Sequence, residues 1–310
     1  MKQKQTNFGI LLVILVAAFA LRMLDIKNAD SVLSAMLGIL MILGIFLLAS
    51  ELFQNYTAGL ISAYFTAFSY WATSFSQTGF EIFALSTITI FSFYFLFRGL
   101  RLRKLHDFII SGFIFGLGFY AYATFCFFLL MLATFIALLV IINKKFLINH
   151  WKHIFVFIIA TFISAASTLF GFLPANTGNN ISSPELLFYV RLLNPVIIIL
   201  FLMGFFYIII KFLHVSWHHI KKRDVGQKIH VYIFLLLWLF LPVYLKIKFD
   251  LTTVLPAIMI VSVIPILWII KKYHSFGHAF RIFITSSLFA IFMFIGIYDV
   301  IRYLIFLQNS

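Results

Sequence analysis

The sequence predicts an all-α, polytopic membrane protein, with one transmembrane domain over residues 1–310 and about eleven helical spans. Two observations carry this prediction. Hydrophobic residues make up 64% of the chain and charged residues only 10%, a balance with which a soluble domain of this size could not cover its own surface. Apolar runs close to the ~18 residues that a membrane-spanning helix needs also recur along the whole chain.

Each predicted span is bounded by a short polar segment. The boundaries include the turn Asp25–Ser31, the cluster of basic residues at Arg98–Lys104, the single polar residue Thr124 and the longest outer loop, Pro174–Tyr189. In chain order the predicted spans cover residues 8–24, 32–53, 57–76, 80–97, 108–123, 125–143, 152–173, 190–213, 230–246, 251–270 and 281–306.

The distribution of lysine and arginine predicts the orientation of these spans. With the N-terminus in the cytoplasm, all but six of the 23 basic residues fall on the cytoplasmic side, as the positive-inside rule requires. The six exceptions are Arg22, Lys27, Arg191, Lys246, Lys248 and Arg302. We therefore expect an integral protein of a bacterial or archaeal plasma membrane with a cytoplasmic N-terminus.

The net charge of +14 is accounted for by basic loops that face anionic membrane lipid. A nucleic-acid partner is not predicted, because no soluble basic domain with interleaved aromatic residues is present. The sequence leaves the oligomeric state open.

Six of the nine acidic residues map to the outer face, and ionisable groups at membrane depth are candidates for function. They are Asp25, Asp30, Glu81, Glu185, Asp250 and Asp299. Glu81 also completes a capping box with Thr78, and this structural role is compatible with a functional one. Asp299 and Arg302 lie three residues apart on one predicted helix, so we expect them to pair with each other.

Glycines in the fifth span predict close helix packing. Gly112 and Gly116 are one helical turn apart and Gly118 follows, a spacing that lets two helix backbones approach closely. We interpret this pattern as a packing surface rather than a ligand site.

Several short segments, in order along the chain, resemble one family of membrane enzymes. Three lie near the N-terminus: Phe19–Arg22, Leu33–Gly38 and Ala49–Phe53. The others are Ser69–Glu81, Ile110–Tyr122, Trp238–Pro242 and Leu255–Pro256. Together they are similar to the GT-C glycosyltransferases, in particular to the branch with the protein O-mannosyltransferases and the bacterial lipid A aminoarabinose transferases.

This resemblance implies transfer of a sugar from a polyprenyl-phosphate donor to an acceptor at the outer face. A family member carries its acidic base in the first outer loop, so the resemblance assigns that role to Asp25 or Asp30, with Glu81 in support. The residues left to bind the substrate are Lys27, Gln77, Tyr122, Arg191, Lys246 and Lys248.

The chain departs from the family pattern in its first outer loop and in its arginines. The loop at Asp25–Ser31 has seven residues where the family has a long one, and Ser31, Gln77 and Cys126 stand near places where the family has arginine. Arginine suits phosphate recognition, so its loss removes part of the expected donor site. A divalent metal stays open, because no clear ligand set is present.

Two other functions are therefore kept as alternatives. One is a catalytically degenerate family member that binds a lipid carrier or a partner protein in the membrane. The other is a transporter, which is less favoured because no internal repeat is found and the spans at 32–76 and 190–213 carry almost no charge at their centres.

Overall fold

A computed structural model describes residues 2–24, 29–74, 80–121, 125–142, 144–169, 193–222, 229–244 and 254–309. Within these residues the chain is helical and contains no strand, which confirms the all-α prediction. The helices are α1 (Lys2–Met23), α2 (Ala29–Phe53), α3 (Tyr56–Phe68), α4 (Tyr70–Ser74), α5 (Phe80–Leu102), α6 (Leu105–Ala121), α7 (Cys126–Ile142), α8 (Lys144–Leu169), α9 (Pro195–Lys222), α10 (Ile229–Tyr244), α11 (Leu255–Val261), α12 (Ile264–Lys272) and α13 (His278–Asn309).

Every predicted span overlaps one of these helices or a consecutive pair of them. Among the described residues, five segments are long and apolar enough to cross a membrane: Val32–Phe53, Ala84–Leu102, Pro195–His214, Leu255–Lys272 and His278–Ile305. Shorter apolar helices account for most of the remaining predicted spans. The structure thus supports an integral membrane protein, and the number of eleven crossings stays a prediction.

Two predicted spans are interrupted, which the hydrophobic pattern did not indicate. The segment at 251–270 breaks between α11 and α12, where Pro265 has no backbone N–H to donate to the preceding turn. The segment at 57–76 breaks at Ser69, whose backbone is extended with φ −61° and ψ 126°. Since Ser69 is neither proline nor glycine, the sequence contained no signal for this second break.

Helices α2 and α5 run side by side in the same direction with a constant register. The Thr87 hydroxyl donates to the Leu37 carbonyl at 3.5 Å near one end of the pair. At the other end Arg101 donates to Glu51 through two nitrogens, with Nη2 to Oε2 at 2.8 Å. Both contacts join residues that are 50 positions apart, so the beginnings of α2 and α5 lie at the same level.

The glycines of α6 pack against α8, which confirms the predicted role of this pattern. A Cβ atom at Gly116 would lie 2.6 Å from the Thr161 carbonyl oxygen, and one at Gly112 would collide with the Phe157 carbonyl. Backbone atoms of α8 cannot move aside as a flexible side chain can. The two helices therefore depend on glycine for their separation.

We expect Gly116→Leu to destabilise the fold by about 1–3 kcal/mol, because the added side chain forces α6 and α8 apart. Thermal unfolding of the purified protein in detergent measures this loss. Gly9→Leu is the matched control, since no atom lies within 4 Å of a Cβ at Gly9. Equal melting temperatures for the two variants would contradict the packing role of Gly116.

Two groups of charged and amide side chains lie at the two ends of the bundle. One end holds the pair between Glu51 and Arg101 and a contact of 3.7 Å between Arg98 and Asp107. The opposite end holds the buried residues Arg22, Asn194 and Asp299. The predicted topology placed the first group in the cytoplasm and the second outside, and the structure separates them accordingly. Which end faces the cytoplasm stays a prediction.

Candidate functional site

Most residues assigned to the site from the sequence lie outside the described residues. These are Asp25, Lys27, Gln77, Tyr122, Arg191, Lys246 and Lys248. The backbones of Asp30 and Glu81 are described, and each is the second residue of its helix, α2 and α5. Because the beginnings of these helices lie at the same level, the two backbone positions share one end of the bundle. Convergence of the carboxyl groups of Asp25, Asp30 and Glu81 in one cavity stays a prediction.

The connection between α1 and α2 is short. Helix α1 ends at Met23 and α2 begins at Ala29, so residues 24–28 join them. The sequence placed Asp30 in the connecting loop, whereas its backbone belongs to the first turn of α2. A carboxylate is favoured in a first helical turn because the helix dipole is positive there, which explains why the helix begins before the apolar run.

Arg22 occupies the centre of this end of the bundle. Its side chain is only 2% exposed, and its two terminal nitrogens donate to Ala18 O at 3.1 Å and to Ala72 O at 3.3 Å. A Cβ atom at Gly38 would lie 2.8 Å from Arg22 Nε, so the guanidinium crosses α2 where that helix has no side chain. The Arg22 side chain at the end of α1 therefore contacts both α2 and α4.

The charge of Arg22 has no carboxylate partner among the described residues, and its Nε has no hydrogen-bond partner there. Burial of a cation is costly, so this position is unlike that of an ordinary packing residue. Arg22 lies three residues before Asp25 in the sequence.

The sequence placed Arg22 on the outer side and in a family motif, but Arg22 was not among the predicted site residues. The available signal was a charged residue inside an apolar run, followed by a glycine in the next span. Only the packing of α1 on α2 shows that these two residues meet.

A second polar group surrounds Asp299 on α13. Asp299 is 1% exposed, and three groups act on its charge: the Asn194 side chain, the Arg302 guanidinium and the backbone N–H of Tyr70. The break at Ser69 leaves that N–H at the beginning of α4, where it has no helical acceptor. Arg302 itself lies over the Tyr70 ring, 4.6 Å from its centroid.

The predicted pairing of Asp299 with Arg302 is therefore only partly confirmed. Arg302 interacts electrostatically with Asp299, but the Asn194 side chain and the Tyr70 backbone N–H also contact this carboxylate. Arg302 lies between Tyr70 and Tyr298, whose ring centroid is 5.6 Å away. Spacing along one helix could not indicate this, because Tyr70 comes from α4.

The described residues contain no group of three histidine, cysteine or acidic side chains that could hold a metal ion. At the end opposite Arg22, the acidic side chains Glu51 and Asp107 contact Arg101 and Arg98 at the end of α5. We interpret these contacts as links between neighbouring helices.

A comparison with protein families identifies the class of protein that this sequence resembles. Residues 17–168, just under half of the chain, match the family described as dolichyl-phosphate-mannose-protein mannosyltransferase. This family comprises membrane glycosyltransferases that use polyprenyl-phosphate sugars. No curated protein matches the chain.

The family match covers the sequence from α1 to α8. It includes Arg22, Asp25, Asp30 and Glu81, whereas the group around Asp299 lies outside it. The match supports the resemblance seen in the short motifs at the level of this family and no finer.

Proposed function

We propose that the protein is a membrane glycosyltransferase that moves a sugar from a polyprenyl-phosphate donor to an acceptor at the outer face of the membrane. The observation that carries the proposal is the family match over residues 17–168. The helices of this segment place Arg22 and the backbones of Asp30 and Glu81 at one end of the bundle. Acid–base chemistry on a membrane-bound substrate fits this arrangement.

The proposed reaction needs a carboxylate base and cationic groups. The base, Asp25 or Asp30, removes the proton from the acceptor hydroxyl as that oxygen attacks the anomeric carbon, and the bond to the carrier phosphate breaks. Glu81 assists the residue that acts as base. The positive charge of Arg22 offsets the negative charge of these acidic residues. Positive and polar groups stabilise the leaving phosphate. Those available on this face are Lys27, Gln77, Tyr122, Arg191, Lys246 and Lys248.

A second function, binding without catalysis, is favoured by one observation. Only residues 24–28 join α1 to α2, whereas the resemblance implies a long first loop that covers the substrate. A protein with so short a connection could hold a lipid carrier or a partner protein in the membrane without turnover.

A reconstituted transfer assay separates the two functions. The purified protein in liposomes is supplied with polyprenyl-phosphate donors that carry a radiolabelled sugar, together with an acceptor extract from its own cells. Transfer of label to the extract supports the enzyme. Binding of the carrier with no transfer from any donor supports the binding function. A protein that neither transfers the label nor binds the carrier would contradict both proposals.

The orientation has its own test. In a Cys126→Ala background, single cysteines in 176–182 are expected to react with a membrane-impermeant maleimide from outside, and cysteines in 221–226 are not. The reason is the segregation of basic residues to the predicted cytoplasmic segments. Cysteines labelled after permeabilisation serve as the control for reactivity. The reverse pattern would place the acidic residues on the cytoplasmic side.

A further inference from the structure

An apolar cleft lies between α5, α6, α7 and α8, towards the end of the bundle opposite Arg22. Its walls include Phe108, Phe135 and Ile154, and all eight side chains that line it are apolar. The cleft contains about 320 Å³ of empty space when the part open to its surroundings is included. A space without polar groups does not hold ordered water, so its chemistry favours a hydrocarbon chain.

Three exposed cations lie beside this cleft and are called the basic rim: Arg103 and Lys104 in the turn between α5 and α6, and Lys152 in α8. The ring of Phe108, which lines the cleft, is 5.0 Å from the ring of His153. His153 Nε2 in turn lies 3.2 Å from the Arg103 carbonyl oxygen. These contacts place the adjacent Lys152 at the level of the turn, so the rim and the cleft are continuous.

The charges of the basic rim do not hold the fold together. The acids at this end, Glu51 and Asp107, contact Arg101 and Arg98 of α5. Among the residues that the structure describes, no ion pair joins an acid to the basic rim. Like charges gathered in one place repel one another, so a bound anion would stabilise the rim.

The backbone of Arg103 also indicates a role for its side chain outside the fold. Arg103 follows the last residue of α5 with φ 55°, and its N–H donates to the Gly99 carbonyl at 2.8 Å. Glycine is the usual residue at this position of a helix end, because the left-handed conformation strains a residue with a Cβ atom. The exposed guanidinium is therefore present at a cost to the backbone.

Trp151 indicates the depth of the basic rim in the membrane. Its side chain is 55% exposed, and Lys152 Nζ lies 5.7 Å from its ring centroid. Exposed tryptophan is enriched where lipid headgroups meet the acyl chains. The rim then lies at headgroup level and the cleft at the level of the acyl chains. In the predicted topology this is the cytoplasmic leaflet, which carries anionic lipid.

We propose that the basic rim binds the phosphate of an anionic phospholipid, and that one acyl chain of this lipid lies in the cleft. Lysine binds phosphate as a point charge and arginine binds it through its planar fork of donors. The apolar walls accept the chain next to the headgroup. The inference concerns the end of the bundle opposite the proposed transferase site and does not depend on that function.

Lipid binding to the full-length protein tests the inference. The detergent-solubilised protein is titrated with phosphatidylglycerol and with phosphatidylcholine of the same acyl chains, and native mass spectrometry counts the bound lipids. The wild type should bind the first phosphatidylglycerol at least about tenfold more tightly than phosphatidylcholine. Arg103→Gly and Lys152→Gln should each weaken this binding by about fivefold, the effect of one basic residue close to anionic lipid. Binding of phosphatidylcholine should stay within about twofold.

Two further variants separate the rim from other charges and the cleft from the headgroup. Lys272→Gln is the matched control, because Lys272 is also exposed and lies over a tryptophan ring, 4.7 Å from the centroid of Trp268. This variant should bind both lipids as the wild type does. Ile136→Phe narrows the cleft and should reduce the bound phosphatidylglycerol to the level seen with phosphatidylcholine.

Equal affinity of the wild type for the two lipids would overturn the inference. So would an equal loss in Lys272→Gln, which would show diffuse attraction to basic residues, or full binding in Ile136→Phe, which would show that no chain enters the cleft. Arg103→Gly should keep the melting temperature of the lipid-free protein, since glycine adopts this backbone conformation without strain. Weaker binding that only accompanies a lower melting temperature would make Arg103 a structural residue.

Discussion

Asp25→Asn and Asp30→Asn are expected to lower the rate of sugar transfer by about 10²–10⁴-fold for whichever residue is the base, while donor binding persists. A general base acts on the proton that moves in the transition state, so its removal lowers kcat much more than it changes ground-state binding. Rates are measured with a labelled donor in proteoliposomes. Asparagine keeps the size of the side chain, so changes in packing are small.

Glu185→Gln is the matched control for these variants, because it removes an outer-face acid that has no assigned role. Its rate should stay close to that of the wild type. An unchanged rate in the double variant of Asp25 and Asp30 would show that the base lies elsewhere, even in an active enzyme. A loss of donor binding equal to the loss of rate would indicate that these acids bind substrate and do not act on the proton.

Arg22→Met is expected to fold and to lose about 10²–10³-fold in sugar transfer. Methionine fills much of the same space, and removing the cost of a buried charge offsets the loss of the hydrogen bonds to Ala18 and Ala72, so stability should change little. The loss of rate follows because a preorganised cation beside the reacting groups is removed. The melting temperature and the transfer rate, measured on the same preparation, separate the two effects.

Gly38→Ala tests the same role without changing any charge. The new methyl group would lie 2.8 Å from Arg22 Nε, so the guanidinium has to move, and displacement by about 1 Å at an active site can cost 10²-fold. Gly9→Ala adds the same methyl group where no atom lies within 4 Å, so it should leave the transfer rate unchanged. A full rate in Gly38→Ala, or a rate loss in Arg22→Met that merely follows unfolding, would make Arg22 a structural residue.

The helical class and the positions of the spans could be predicted from the sequence, because in a membrane both follow from local properties. A helix must satisfy its own backbone hydrogen bonds within one apolar run, so the run marks the helix. Gly112 and Gly116 were predictable as a packing surface for a similar reason. Small residues one turn apart always form a groove, whichever helix fills it.

The break at Ser69 and the environment of Asp299 could not be predicted in this way. The sequence pairs Asp299 with Arg302 because they are three residues apart, but the neighbours that act on Asp299 also include Asn194 and Tyr70. Those residues are more than a hundred positions away along the chain. Their approach depends on how α4, α9 and α13 pack together.

By itself, the sequence determined the all-helical class, the apolar segments and the resemblance to one family. These properties depend on residues close to one another in the chain. The burial of Arg22 against Gly38, the common level of α2 and α5 and the approach of Asn194 to Asp299 were decided by the tertiary structure. The physical reason is that each depends on contacts between helices, and a hydrophobic pattern indicates that a face is buried without indicating which residue it meets.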